Sequence, residues 1–375
     1  MSKPNPPSPS NYQSWTGVED PKFGYGAMLQ GYLDHAVPGA TLHKFASTHV
    51  HMGVPRGCPG FYKGQHKALF TMWETDTLPL GFIRYLPLFD QILVPCEHNR
   101  ILFGKHHPNV TVVPLGVDST IWRPDPKAIV NNTRFQFRAG GSLWRRKGLD
   151  AVVEAFRRLN LPDADLRIKA APHAADAPRH VDVPNVYLDR EWMTLEEQAD
   201  WFRQANCYIA ASRGEGFGLM PLQAIAAGIP TIITATSGQA QFAHLASSVC
   251  QSRLVPADTL GKWDEPDVGH LMELMRHHYE NRHTLQVEAY NRAPQAAEEF
   301  SWRKATDALT AAVPQGRLLK NPKFQPFAQE IPVVALRPVN ASIAGRRVTL
   351  KTGEETILDE PLYQVLYDSG AVRMV

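Results

Sequence analysis

Residues 214–228 read GEGFGLMPLQAIAAG and follow the apolar run Cys207-Tyr-Ile-Ala-Ala211. The apolar run predicts a buried strand, the glycines a turn, and the Leu/Ile/Ala-rich remainder a helix. A strand that feeds a helix through a Gly-rich turn is a ready anion site, because the helix opens with unpaired amides at the positive end of its dipole. Glu215 stands at the mouth of that turn, where a carboxylate would compete with a phosphate. The pattern makes sense if Glu215 faces a neutral, hydroxyl-rich part of a ligand while neighbouring amides and cations elsewhere hold its phosphates.

The same rhythm extends on both sides. Upstream, Phe135-Gln-Phe-Arg-Ala139 reads as a strand leading into GGSLWRRKG at 140–148, with helical spacing from Leu149 to Leu159. Leu166–Ala170 and Val186–Leu188 read as strands, and Thr194-Leu-Glu-Glu197 as a capping-box start for a helix running to Ala205. Pro230–Ala235 and Val249–Val255 complete this set as strands, and 266–312 is helical in pattern. An earlier set has a helix at 24–36 behind a Gly-Tyr-Gly turn, strands at Lys67–Glu74, Gln91–Cys96 and Val110–Pro114, and helices at Leu78–Phe89 and Glu97–Lys105. Strands that alternate with helices predict parallel sheets covered on both faces, and two such sets predict two doubly wound halves around a cleft. The expected organisation is an N-terminal Rossmann-like domain over 1–125, with 1–15 disordered, and a C-terminal Rossmann-like domain over 126–300. A helix at 301–320 crosses back, and 321–375 form a β-rich appendage. WRPDPKAIVNN, 122–132, is the break between the halves.

Composition narrows the function classes. With 375 residues, two domains are expected. The 39 basic and 37 acidic residues balance to +2, so no overall field favours nucleic acid or an anionic membrane, and anion binding must be local. Cys58, Cys96, Cys207 and Cys250 have no paired spacing, which favours reduced core thiols over a disulfide frame or a zinc site. No uninterrupted apolar run is long enough to span a bilayer and the Pro/Ser-rich start lacks an apolar core, so the expected location is the cytoplasm.

Three consecutive cations, Arg145, Arg146 and Lys147, lie between glycines at a strand end and suit a diphosphate. Taken with GEGFGLMPLQAIAAGIP, this loop makes a recognisable pair. The sequence resembles the retaining glycosyltransferases of the GT-B fold, in particular glycosyltransferase family 4, over about 70–312. The resemblance rests on Trp73-Glu-Thr-Asp-Thr-Leu-Pro79, Val113-Pro-Leu-Gly-Val-Asp118, Gly141 to Gly148, Glu215 to Pro230, Trp263-Asp-Glu-Pro-Asp267 and Phe300-Ser-Trp302, in that order.

The resemblance implies a nucleotide diphosphate sugar in the cleft. Arg146 and Lys147 match the family's diphosphate-binding pair, and Glu215 the first acid of its E-x7-E motif, which contacts donor-sugar hydroxyls. The amides of Phe217, Gly218 and Leu219 serve sugar and phosphate. The second acid, which binds ribose hydroxyls, is Gln223 here, and an amide oxygen can still accept. The arginine after the first glycine of the basic motif is Ser142, with Arg145 as the nearest substitute. Gly141 belongs to the same loop, and Gly24 and Gly26 match the family's N-terminal glycine loop. Where relatives carry a cleft histidine, this chain has Trp73-Glu74, so Glu74 or Asp76 faces the acceptor, or else His49 or His51, which share one strand face.

No side chain stands out as a nucleophile beside a base. The resemblance implies transfer on one face of the sugar, the departing diphosphate taking the acceptor proton, with no metal or other cofactor. The triplets Glu74-Thr-Asp76 and Asp163-Ala-Asp165 look only superficially like a metal motif. A protein or soluble glycan acceptor is preferred to a lipid, and the appendage is expected to dock it, to pair two subunits or to pack on the N-domain. The competing readings are a catalytically eroded binding or assembly protein of the same fold and a sugar-nucleotide epimerase.

Overall fold

The computed structural model describes residues 13–17, 24–34, 40–41, 46–58, 60–125, 133–141, 144–170, 178–317, 323–326, 330–335, 338–343, 346–359 and 372–374. Two six-stranded parallel sheets form its frame.

The first sheet contains β1 (Gln13–Gly17), β2 (Ala40–Thr41), β3 (Thr48–Met52), β5 (His66–Phe70), β6 (Gln91–Val94) and β7 (Val110–Val112), in the order β2-β1-β3-β5-β6-β7. Helices α1 (Gly24–Asp34), α2 (Leu80–Ile83) and α3 (Glu97–Gly104) belong to this half, and the short β4 (Gly60–Tyr62) lies outside the sheet. Residues 1–12 lie outside the described region, but disorder to residue 15 is corrected: the chain pairs from Gln13 onward, because Trp15 is buried against Tyr32. The helix expected at Leu78–Phe89 is only one turn of α helix followed by a 3-10 turn at Leu86–Leu88, which contains Pro87. Gly24 and Gly26 are not a turn before α1 but its own first residues.

The second sheet contains β8 (Phe135–Gly141), β9 (Ala164–Ala170), β10 (Val186–Asp189), β11 (Cys207–Ala210), β12 (Thr231–Thr234) and β13 (Ser248–Cys250), in the order β10-β9-β8-β11-β12-β13. All four residues of β11 are buried, as a central strand covered on both faces requires. α4 (Leu149–Leu159) buries Leu149, Val152, Phe156 and Leu159, one helical stripe. α5 (Leu195–Arg203) starts on a complete Thr194/Glu197 capping box, and α6 (Leu219–Ala226) follows β11.

The single strand expected at Val249–Val255 is two. After β13 the chain turns at Gln251 into β14 (Ser252–Pro256), which pairs antiparallel with β15 (Lys262–Pro266) to make a hairpin outside the sheet. α7 (Val268–Glu280), α8 (Arg282–Glu299) and α9 (Trp302–Ala312) follow. α9 packs on the first half: the Trp302 ring lies 5.2 Å from that of Tyr32, and Gly31 and Gly116 leave room for Trp302. Beyond it, β16 (Phe324–Pro326) pairs with β4, β17 (Glu330–Ala335) with β20 (Glu355–Asp359) and β21 (Val372–Met374), and β18 (Val339–Ile343) with β19 (Arg346–Leu350). All four cysteines are free and buried. Among the described residues no helix is long and apolar enough to cross a membrane.

Candidate functional site

The site lies where the turns after β8 and β11 meet. Gly148 closes the first turn at φ +67°, and a Cβ there would stand 1.8 Å from the Ala211 carbonyl, so only glycine lets the basic loop press on the end of β11. The Arg213 amide and the Ser212 hydroxyl both donate to the Arg146 carbonyl, at 2.8 and 3.0 Å. This stitching brings Arg146 and Lys147 onto Glu215. Lys147 Nζ donates to Glu215 Oε1 at 2.6 Å and Arg146 Nη1 to Oε2 at 3.3 Å, with the Glu215 side chain 7% exposed. Burial alone would raise the Glu215 carboxyl, but the two cations outweigh it and hold the group below its ordinary range. The same burial pulls Lys147 below the range of a free lysine, with Glu215 opposing.

The motif glycines also have specific neighbours. Gly141 makes room for the Lys147 stem, since a Cβ would meet Lys147 Cγ at 2.3 Å. Gly214 and Gly216 face the first half: their Cβ atoms would stand 2.3 Å from the Glu74 carbonyl oxygen and from Met72 Sδ. The alternation therefore presses a flat backbone edge onto the segment after β5 while Glu215, between the glycines, turns to the cations. Gly218 adopts φ +101° at the start of α6, and the amides of Phe217, Gly218 and Leu219 find no acceptor among the described residues. The Phe217 ring itself is core, packed with Phe242 and Phe300.

Of the other residues singled out from sequence, Glu74 joins the cluster, its Oε1 3.9 Å from Arg146 Nη2. Gln223 lies on α6, and its Oε1 is buried with no partner among the described residues. Arg146 Nε is likewise buried and unpartnered. Asp76 binds the hairpin: its Oδ1 accepts the Lys262 amide at 2.7 Å, and its own amide donates to the Lys262 carbonyl. Arg145 turns outward to Asp150 and Asp258 and is not with Glu215, so it does not stand in for the missing arginine. Ser142 lies outside the described residues. His49 and His51 belong to the interior of the first half: both face Thr16 Oγ1, at 3.0 and 2.9 Å, and His51 Nε2 also meets the Val54 carbonyl. Asp163 accepts from the Tyr279 hydroxyl and Asp165 pairs with Arg134. Among the described residues, no group of three or more His, Cys, Asp or Glu side chains is arranged to hold a metal.

Sequence reasoning missed two residues. Arg213, 1% exposed, forks onto both Glu265 and Asp150 and thereby ties the hairpin to α4 and the basic loop. Its partners stand 52 and 63 positions away, so no local signal marks it. Asn99, fully buried in the first turn of α3, donates to the Gly216 carbonyl at 3.0 Å and accepts the Trp73 amide at 2.7 Å. It pins the Glu215 turn to the first half.

Residues 97–309, more than half of the chain, match the profile of the family 4 glycosyltransferases in conflict systems. The chain belongs to that family. Among its relatives, the D-inositol 3-phosphate glycosyltransferase of Paenarthrobacter aurescens (strain TC1) is 26% identical over 162 residues, 38% of this chain and 40% of that protein. The mannosylfructose-phosphate synthase of Agrobacterium fabrum is 25% identical over 158 residues, 36% of this chain and 35% of that one. The chain thus matches about 40% of the length of the first of these relatives. Solved structures give the family 4 chain a GT-B fold. Sucrose-phosphate synthase from Thermosynechococcus elongatus aligns with a TM-score of 0.53 at 15% identity over 74% of each chain. A trehalose-6-phosphate synthase aligns with 0.53 at 12% identity over 71% of this chain and 73% of that one. The doubly wound α/β architecture expected from sequence is therefore the observed one, and the family match includes the basic loop, Glu215 and Gln223.

Proposed function

We propose that this family 4 protein transfers a sugar from a nucleoside diphosphate sugar to a hydroxyl acceptor with retention of anomeric configuration. The observation that carries the reading is the buried cluster of Arg146, Lys147 and Glu215 at the junction of the two strand-end turns. Two cations held by one carboxylate at the strand ends suit a diphosphate beside a sugar. Glu215 orders Lys147 through Oε1 and has lone pairs left for sugar hydroxyls. Arg146 keeps a buried Nε–H without a partner, a donor for a phosphate oxygen. The free amides of Phe217, Gly218 and Leu219 open α6 toward the same ligand. The orphaned Gln223 Oε1 is an acceptor for a ribose hydroxyl, as the family's second acid would be.

The bond from the anomeric carbon to the diphosphate breaks while the acceptor oxygen bonds to that carbon on the same face. The acceptor proton passes to the departing phosphate oxygen. Arg146 and Lys147 stabilise the charge that grows on the leaving group, the task a metal performs elsewhere, and no metal is required. Incubation of the full chain with UDP-, GDP-, ADP- and TDP-sugars and a hydroxyl acceptor tests the proposal. Free nucleoside diphosphate should form in step with a glycoside of the donor's own anomeric configuration, with or without EDTA. An epimerised nucleotide sugar, or an inverted product, would contradict it.

A further inference from the structure

Next to the Arg146–Glu215 cluster lies a cavity of about 410 Å³ that the donor reading leaves unused. It is lined by the segment Glu74, Thr75 and Asp76, by His98 of α3 and by Thr236 and Ser237. The roof is the β14–β15 hairpin, through Ser252, Leu254, Lys262, Trp263 and Asp264. Two lining residues connect it to the cluster: Glu74 meets Arg146, and Ser237 Oγ accepts the Glu215 amide at 2.8 Å. A hydroxyl in this cavity would therefore stand beside the leaving group held by Arg146.

We propose that this cavity is the acceptor compartment and that it takes an uncharged polyhydroxyl compound in preference to a phosphorylated one. The inference rests on the glycosyl-transfer reading and narrows its acceptor. The charge and hydrogen-bonding sense of the lining carry it. Three carboxylates, Glu74, Asp76 and Asp264, line the cavity, and carboxylates accept from hydroxyls but repel phosphates. The facing cations are few. Arg146 is engaged by Glu215, Glu74 and the Gly214 carbonyl, and Lys262, the one lysine among the lining residues, acts on Asp76, as does Lys105. Asp264 is fixed by Thr236 and Ser252, and Asp76 by the Lys262 amide, so both are preorganised. His98 keeps a buried Nε2 with no partner among the described residues, so polar capacity is left over beside the cavity. Leu254, 63% exposed at the rim, and Trp263 give apolar surface for the faces of a sugar ring.

The roof is held in place across the cleft. Arg213 forks onto Glu265 of β15, and a Cβ on Gly261 would stand 2.5 Å from Asp76 Oδ1, so the hairpin tip presses on the acidic segment. The names of two relatives carry a phosphorylated polyhydroxyl compound, D-inositol 3-phosphate and mannosylfructose phosphate. The acidic lining marks a departure from such phosphorylated compounds.

Calorimetric titration of the full chain, saturated with the nucleoside diphosphate it binds, tests the inference. The probes are matched pairs: myo-inositol and inositol 3-phosphate, fructose and fructose 6-phosphate, maltose and maltose 1-phosphate. At least one neutral member should bind tenfold or more tightly than its phosphorylated partner. Asp76→Asn/Asp264→Asn should cut that preference about tenfold and leave nucleotide-sugar affinity unchanged. Ser252→Lys, on an exposed lining residue, should tighten the phosphorylated members, which covers the case in which the double variant fails to fold. Tighter or equal binding of the phosphorylated members, binding of neither member, or a preference untouched by Ser252→Lys would overturn the inference. Failure of the underlying reading looks different: no nucleotide sugar would then bind the unmodified protein.

Discussion

Lys147→Met keeps the stem that lies against Gly141 and removes only the ammonium that holds Glu215 at 2.6 Å. Two effects follow, and they can be separated. Removing one member of a buried ion pair costs about 3–5 kcal/mol, because the other charge is left uncompensated. Arg146 remains 3.3 Å from Glu215, so the lower end, about 3 kcal/mol, is expected. In a chain of 375 residues that corresponds to a fall in Tm of about 4 °C. If Lys147 also stabilises the departing diphosphate, transfer should fall about 10²–10³-fold beyond any loss of folded protein. Lys147→Met/Glu215→Gln removes both charges and should recover most of the lost Tm, since neutral replacement of a buried pair is nearly neutral. It should recover none of the transfer rate. Thermal melts and initial rates of nucleoside diphosphate release on the three proteins decide the matter. A double variant that regains both stability and rate would reduce Lys147 to a structural partner of Glu215 and refute the reasoning.

Further outcomes follow from the same geometry. Gly214→Ala sets a methyl against the Glu74 backbone, which cannot swing aside, so Tm and nucleotide-sugar affinity should both fall; an unchanged donor affinity by calorimetry would contradict the close apposition. Gln223→Glu restores the family acid and should tighten the nucleotide up to about tenfold, whereas Gln223→Leu should weaken it by about as much, read as Kd for the nucleoside diphosphate. Burial lowers His49 and His51 from 6.5 to about 4, so the unfolded chain binds more protons between those values. Stability should be whole above pH 6.5 and fall by roughly 1.4 kcal/mol per pH unit for each histidine as pH drops toward 4. Melts of His49→Gln/His51→Gln should show a flatter decline, and an identical pH profile would rule out these two groups as its source.

The strand-turn-helix at 207–228 was legible because each step has a local cause: a wholly apolar strand, glycines at special angles, then an apolar helix. The basic loop at 145–147 was legible for the same reason, as was the capping box at Thr194. The glycines were legible as turn formers but not in their packing role, because Gly214 and Gly216 meet Glu74 and Met72, some 140 positions earlier. The sequence reads β13 and β14 together as one strand and does not show the hairpin, because the partner of β14, Lys262–Pro266, carries three charges and no strand-like alternation. The hairpin's anchor Arg213 was hidden by distance along the chain. The histidines at 49 and 51 share one face as the alternation implied, but Thr16 claims that face, and β1 gave no signal in its Pro/Ser-rich surroundings. Gln223 reads the same way from both directions: a departure from the family acid in sequence, and an acceptor without a partner in the fold.

The central claim is that Arg146, Lys147 and Glu215 hold a nucleotide sugar. The direct measurement is the shift in Tm of the unmodified chain and of Lys147→Met/Glu215→Gln across UDP-, GDP-, ADP- and TDP-sugars. A donor at a hundred times its Kd adds about 2.7 kcal/mol, a rise of about 3 °C in a chain of 375 residues. One nucleotide should stabilise the unmodified protein by that much and leave the double variant unmoved. A shift for none of the four donors, or the same shift in both proteins, would contradict the assignment.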